Sequence, residues 1–265
     1  MTTVIAISDI HGQLKCFPRL ELMQRRYPKA ISVFCGDYVD GHANGFAVLE
    51  RIAEMQNRNP DRTVALLGNH DQAMLAYFTN PDDDLWLKIG GRATVHEAML
   101  RLRVDNIEFD NDRDNLLEAH RSMLTWLSKR PIDQKIGKLR FVHAGYDFRL
   151  ADPVKQTSRH DKLWMRWTYF YSNGRRKIFA HNPLTETVVT GHTPTGFFGG
   201  DYEHGVGPTK YLDPNHSPIY RVMYSGEQPR YFIDGGISLQ HPRRCGNIAV
   251  FDSETGLMTD ALEDS

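Results

Sequence analysis

Short apolar runs alternate with abrupt polar stops along this chain, and the stops are alike. Val4 to Ile7 runs into Ser8-Asp9-Ile10-His11-Gly12, Ile31 to Cys35 into Gly36-Asp37-Tyr38-Val39-Asp40, and Val64 to Leu67 into Gly68-Asn69-His70-Asp71. Further along, Phe141-Val142 precedes His143-Ala144-Gly145, and Val188-Val189-Thr190 precedes Gly191-His192-Thr193. Aliphatic, β-branched runs of this length bounded by glycine read as strands. The spacing of Phe46, Val48, Leu49, Ile52 and Met55 predicts an amphipathic helix ending before Asn59-Pro60. Helices are also expected over 13–27, started or interrupted at Pro18, and over 72–78. The β-α-β-α order predicts an α/β fold with parallel strands.

Asn80-Pro81 and three aspartates mark a loop, after which 86–101, containing Gly90-Gly91, and 116–129 read as helices. Residues 80–131 are therefore expected to form a helical insertion beside the site, within a single domain spanning 1–265. Strands return at 139–142, 187–190, 231–233 and 248–251. Between Phe197 and Ser225 the many glycines, prolines and tyrosines lack periodicity, which predicts a long loop or hairpin near the site.

Composition narrows the class only a little. The formal charge of −1 provides no global steering toward nucleic acid or an acidic membrane surface. Three widely spaced cysteines, Cys16, Cys35 and Cys245, read as thiols of a reducing compartment rather than a disulfide framework. The apolar run at 4–7 is too short for a signal peptide, and none is long enough to span a membrane. A cytoplasmic protein is expected.

The chemistry lies in the stops. Five strands each deliver Asp, Asn or His at their C-terminal ends, where α/β proteins place ligands. Asp9 and His11, two apart on a segment read as extended, should share a face. Carboxylate and imidazole together suit Mn, Fe or Zn. Each stop has a bland reading on its own. Gly-Asp favours turns, Asn69 is a good helix N-cap, and a lone histidine at a strand end is usually structural.

Taken jointly, SDIHG (8–12), GDYVD (36–40), GNHD (68–71), HAG (143–145) and GHT (191–193) resemble the phosphoprotein phosphatase branch of the calcineurin-like metallophosphoesterases. WLKIGGRAT (86–94) and KLWMRW (162–167) are similar to stretches of bacterial and phage members. The resemblance runs from residue 4 to about 236. It implies an α/β fold of two β-sheets packed as a sandwich and flanked by helices, which periodicity alone does not reach. It also implies two divalent ions, manganese first, with iron or zinc as alternatives. Asp9 and His11 would bind the first, Asp37 would bridge, and Asn69, His143 and His192 would complete the second. Such a pair, about 3.5–4 Å apart, activates a shared water and neutralises phosphoryl oxygens during in-line attack. His70 would act as general acid, oriented by Asp40, although it could instead be a third ligand of the second ion. Arg166 would grip phosphate with its planar fork, its bland reading being a surface arginine. Asp234-Gly235-Gly236 reads as a structural turn below the site, and Arg175-Arg176-Lys177 as a solvated charge run.

One position departs from the resemblance. Members commonly carry arginine after the second aspartate of GDxVD, whereas this chain has Gly41 and then His42. The phosphate clamp should be weaker for it, and arginine at 41 should restore a preference for monoesters. The expected function is hydrolysis of phosphomonoesters, with phosphoserine, phosphothreonine or phosphotyrosine proteins or small phosphoesters as substrates. A symmetrical dinucleoside tetraphosphate hydrolase or phosphodiesterase is the alternative, and a non-catalytic binding scaffold a remote one.

Overall fold

A computed structural model describes residues 2–80, 82–102, 109–204, 210–239 and 244–264, without the side chains of 109–112. Among the described residues, twelve strands run in chain order as β1 (Thr3–Ile7), β2 (Ile31–Phe34), β3 (Thr63–Ala65), β4 (Asp133–Ile136), β5 (Leu139–Val142), β6 (Tyr171–Asn173), β7 (Ile178–Phe179), β8 (Thr187–Thr190), β9 (Tyr220–Val222), β10 (Arg230–Phe232), β11 (Ile248–Asp252) and β12 (Met258–Leu262). One sheet has the order β12-β11-β1-β2-β3 and the other β4-β5-β8-β10-β9, while β6 and β7 form a separate small ribbon. Both large sheets are mixed. β1, β2 and β3 are parallel and β11 joins antiparallel, and β5, β8 and β10 are parallel between antiparallel β4 and β9.

Period two along the strands builds the layers. In β1, Val4 and Ala6 face Leu139, Phe141, Val189 and Tyr231 of the other sheet. Ile5 and Ile7, one residue out of phase, face the helices. Those helices are α1 (Cys16–Arg26), α2 (Gly45–Arg58), α3 (Asn69–Thr79), α4 (Arg92–Arg101) and α5 (Phe109–Ser128). Three short helices follow, α6 (Pro153–Gln156), α7 (Arg159–Trp164) and α8 (Trp167–Phe170). Phe170 and Phe179 cover the outer face of the second sheet with Val142, Val188 and Phe232. The expected sandwich flanked by helices is what the chain forms. Among the described residues no helix is long and apolar enough to cross a membrane.

The pattern located every strand that carries a candidate ligand and passed over β4, β6, β7, β9 and β12. β6 and β7 are only three and two residues long. The other three are edge strands, and β4 (DQKI) and β12 lie half-open to water, so neither shows the full apolar face that marks a strand in sequence. α3 begins at Asn69, three residues before the expected start, because the polar Asn69-His70-Asp71 already forms its first turn. Around Gly90 the expected single helix kinks (φ +134°) into a wide π-type turn over Leu87–Gly91 before α4. Residues 81, 103–108 and 205–209 of the two segments expected to border the site lie outside the described residues.

Candidate active site

The carboxyl ends of β1, β2, β3, β5 and β8 meet at one place, and each brings its polar stop. Asp9 and His11 do not lie on extended backbone as expected. Both are left-handed (φ 54° and 45°), as are Asp37 (58°), Asp40 (71°) and His192 (69°). Each such residue costs about 1 kcal/mol or more, and strain of this kind collects where function demands a geometry. It is held by stitching between loops. The N–H groups of Asp9, His11 and Gly12 donate to the carbonyls of Gly36, Asp37 and Tyr38 at 3.1, 3.0 and 2.9 Å. Packing is close enough that a Cβ on Gly191 would stand 2.1 Å from Asp9 Oδ2, so only glycine lets His192 follow β8 here.

Asp37 lies between two sets of donors. Its Oδ2 is 3.7 Å from His11 Nε2, which is itself 3.9 Å from Asp9 Oδ1. On the other side the same oxygen is 3.3 Å from His143 Nε2. His143 Nε2 and His192 Nδ1 both approach Asn69 Oδ1, at 2.9 and 2.8 Å. The ligand atoms of Asp37, His143 and His192 lie within 4.8 Å of one another, as do those of His11, Asp37 and His70. The six expected ligands, Asp9, His11, Asp37, Asn69, His143 and His192, are thus brought together and buried.

The imidazoles test whether this set fits a cation. His11 Nδ1 meets the carbonyl of Val39 at 2.9 Å, His143 Nδ1 that of Cys35 at 2.8 Å, and His192 Nε2 that of Trp164 at 3.2 Å. A carbonyl only accepts, so each of those nitrogens carries a proton, and in the neutral ring the opposite nitrogen presents a lone pair. Those lone pairs face Asn69 Oδ1 and the Asp37 carboxylate, which are acceptors too. Neutral imidazoles and carboxylates crowded at these distances need positive charge between them, and the donor set fits a divalent cation.

With no cation bound, protons supply part of that charge: burial alone would lower His143, but Asp37 pushes it up to about 9. Burial raises the Asp9 carboxyl to about 6. Asp37 is buried as deeply, yet His143, His70 and His11 hold it well below the usual carboxylate range. Burial alone would lower His70, but Asp37 and the hydrogen bond with Asp40 push it up to about 9.

His70 Nδ1 is 2.7 Å from Asp40 Oδ2, and the ring stands edge-on to His11 with centroids 4.9 Å apart. Sequence reasoning placed Asp40 behind His70 but missed what holds Asp40. Trp86 Nε1 donates to both of its oxygens at 3.0 Å, and Thr94 Oγ1 donates to Oδ1 at 2.8 Å. Both belong to WLKIGGRAT, a motif recognised without a role. The segment 80–131 therefore does more than border the site, since its first turns fix the Asp40 carboxylate. Asp71 was likewise passed over. Buried, it accepts from the N–H groups of Asp37, Tyr38 and Gly68 at 2.8, 3.0 and 2.9 Å and ties the β2 and β3 turns together.

Arg166 lies at the N-terminus of α8, and its Nη1 donates to the His192 carbonyl at 2.8 Å and to Thr193 Oγ1. It lines a cleft of about 350 Å³ together with His11, Asp37, His70 and His192. Asp234 forms the expected buried turn, accepting from the Gly236 N–H at 2.7 Å, and Arg175-Arg176-Lys177 is exposed between β6 and β7.

The structure alters the expectation for Gly41. Its φ is +74°, and a Cβ there would press to 3.2 Å on the Cβ of His11. Gly41→Arg is now expected to lower monoester kcat/KM rather than raise it, and to cost roughly 1–2 kcal/mol of stability. Thermal melting and steady-state kinetics of the variant check this. Unchanged melting with improved monoester turnover would restore the clamp account.

Strand ends bearing this donor set, on a helix-flanked double sheet, define a class, the divalent-metal-dependent hydrolases of phosphoester bonds. The chain belongs to the calcineurin-like phosphoesterase family, whose model matches residues 2–213. No match was found by sequence among curated proteins. Among solved structures it is similar to a protein serine/threonine phosphatase from Saccharomyces cerevisiae (TM-score 0.55, 13% identity, covering 100% of this chain and 80% of that one). It is also similar to a protein provisionally described as a diadenosine tetraphosphatase (0.52, 17%, 98% and 93%) and to a metallophosphoesterase from Sphaerobacter thermophilus (0.51, 15%, 99% and 89%). At these identities the likeness is one of fold.

Proposed function

We propose that the chain is a dinuclear phosphomonoesterase acting on phosphorylated protein or small phosphoester substrates, with residues 1–265 forming one catalytic unit. One observation carries the reading. A single carboxylate oxygen, Asp37 Oδ2, stands 3.7 Å from His11 Nε2 and 3.3 Å from His143 Nε2, so it faces two half-sites at once. Asp9, His11 and Asp37 would hold one divalent cation, and Asp37, Asn69, His143 and His192 the other. Manganese is favoured, since oxygen and imidazole donors are mixed and the described ligand set contains no thiolate. When bound, the ions supply Lewis acidity, activating water and drawing charge from the phosphoryl oxygens.

The chain's own residues do the rest. Arg166 binds the phosphoryl group with the guanidinium N–H groups that Nη1 does not use, and its anchorage on His192 and Thr193 fixes their direction. His70 holds its ring proton toward the cleft and gives it to the departing alkoxide. Asp40, held by Trp86 and Thr94, keeps that imidazole in one orientation and supports its charged form.

The test is turnover with added manganese, before and after exhaustive chelation, on a panel of phosphomonoesters with diadenosine tetraphosphate beside them. Activity on monoesters that disappears with the metal and returns on its addition is expected. Full turnover with no metal by elemental analysis would end the dinuclear reading, and cleavage of the tetraphosphate alone would move it to the nucleotide alternative.

A further inference from the structure

Half of the cleft wall takes no part in the chemistry above. Beyond His70 and Arg166 the apolar part of its lining is Trp167, Phe170, Pro194, Phe197, Phe198 and Leu239, with the small polar Thr193 and Ser238 among them. Three of the apolar residues keep large faces in water. Trp167 is 56% exposed, Phe197 47% and Leu239 41%. Large apolar groups left exposed together around a concave polar centre mark a ligand surface. The wall is also stiff. Phe170 and Phe198 are buried behind it with centroids 4.7 Å apart, and both pack on Phe232. Trp167 stacks on Tyr171 at 6.0 Å.

The position of the wall indicates which part of a substrate would meet it. Trp167 follows Arg166 directly, and Phe197 lies five residues after His192. Any group on this wall therefore sits next to the phosphoryl group. A serine or threonine ester places one small carbon there and leaves the aromatic faces wet. A nucleoside polyphosphate cleaved between its phosphates keeps its base a ribose and further phosphates away. A phenolic ester places a flat ring against the wall.

We propose that Trp167 and Phe197 make this site selective for aryl phosphoesters, phosphotyrosine in a protein being the natural form, over alkyl phosphoesters. The inference rests on the phosphoesterase reading and adds the substrate class to it. The ring is bound by the wall while Arg166 takes the phosphoryl oxygens and His70 faces the phenolic oxygen. Because a phenoxide leaves more easily than an alkoxide, a bare rate comparison would not isolate the wall. The change produced by a substitution does.

The experiment uses the metal-loaded full chain and two peptides of one sequence, bearing phosphotyrosine or phosphothreonine, with diadenosine tetraphosphate as a third arm. Trp167→Ala should raise KM for the phosphotyrosine peptide about tenfold, with kcat nearly unchanged and KM for phosphothreonine moved no more than about twofold. Trp167→Phe should recover most of the loss, which a folding defect would not. Binding without turnover gives an independent reading. Phenylphosphonate, whose C–P bond is not hydrolysed, should bind about tenfold tighter than ethylphosphonate, a margin that Trp167→Ala and Phe197→Ala each reduce. Equal losses on both peptides, or none, would overturn the selectivity. A loss confined to the tetraphosphate would assign the wall to a nucleobase and overturn it too. If the native enzyme cleaves none of the three esters while binding metal, the phosphoesterase reading falls and takes this inference with it. That result is distinct from cleavage without selectivity.

Discussion

Asp37→Asn should lose at least ~10³-fold in kcat and retain fewer metal ions than the native protein, the largest effect expected of any single substitution here. Asp37 Oδ1 accepts the His70 N–H at 3.0 Å, and Oδ2 is the oxygen that lies toward both His11 and His143. The amide can keep the first contact through its carbonyl. At the second it presents N–H groups where two imidazole lone pairs already point. Without metal the exchange removes an ionised carboxylate that His143, His70 and His11 stabilise, so at neutral pH metal-free Asp37→Asn should melt lower than metal-free native protein. With metal the loss would be greater, since the oxygen facing both half-sites and its charge are gone. Lost activity together with lost metal is the signature, and elemental analysis beside steady-state kinetics reads it. Near-native turnover with both ions retained would remove Asp37 from the bridge.

His70→Asn should cost on the order of 10²–10⁴ in rate on alkyl phosphates and clearly less on nitrophenyl phosphate, whose leaving group needs little protonation. The geometry makes the assay necessary. His70 Nδ1 is committed to Asp40 at 2.7 Å, yet the ring also shares a 4.8 Å cluster with His11 and Asp37, as a ligand would. Metal content separates the two roles. An acid leaves it unchanged when removed, whereas a ligand takes an ion with it and depresses both substrates alike. Loss of metal, or equal losses on the two esters, would place His70 in the ligand set.

Very different physics made parts of this molecule legible in the sequence and hid others. Strands β1, β2, β3, β5 and β8 could be read because each is a short, largely apolar run ended by an abrupt polar stop, which local chemistry alone imposes. Their stops carried the candidate ligands for the same reason. A residue type that must offer a lone pair to a cation has few substitutes, so Asp9, His11, Asp37, Asn69, His143 and His192 were visible as letters. That both large sheets bury their inner faces against each other was not visible locally. Val4 and Phe141 are 137 residues apart, as their numbers give by difference, and only closure of the sandwich makes them neighbours.

The errors were of one kind. Asp9 and His11 converge by left-handed turns pinned to the β2 loop, not by extended alternation, because hydrogen bonds from a distant segment override the local preference of the backbone. Gly41 looked like a vacancy for arginine, whereas its backbone conformation and its contact with His11 exclude a side chain. Trp86 and Thr94 looked like helix residues of an insertion, and their hydrogen bonds to Asp40, 46 and 54 residues away, give them their place in the site. The sequence by itself determined which groups could do the chemistry, since that is a property of side chains. The tertiary structure decided which of them face one another, which carbonyls fix the imidazoles, and what wall stands beside Arg166 and His70. Those depend on contacts between segments that no local pattern encodes.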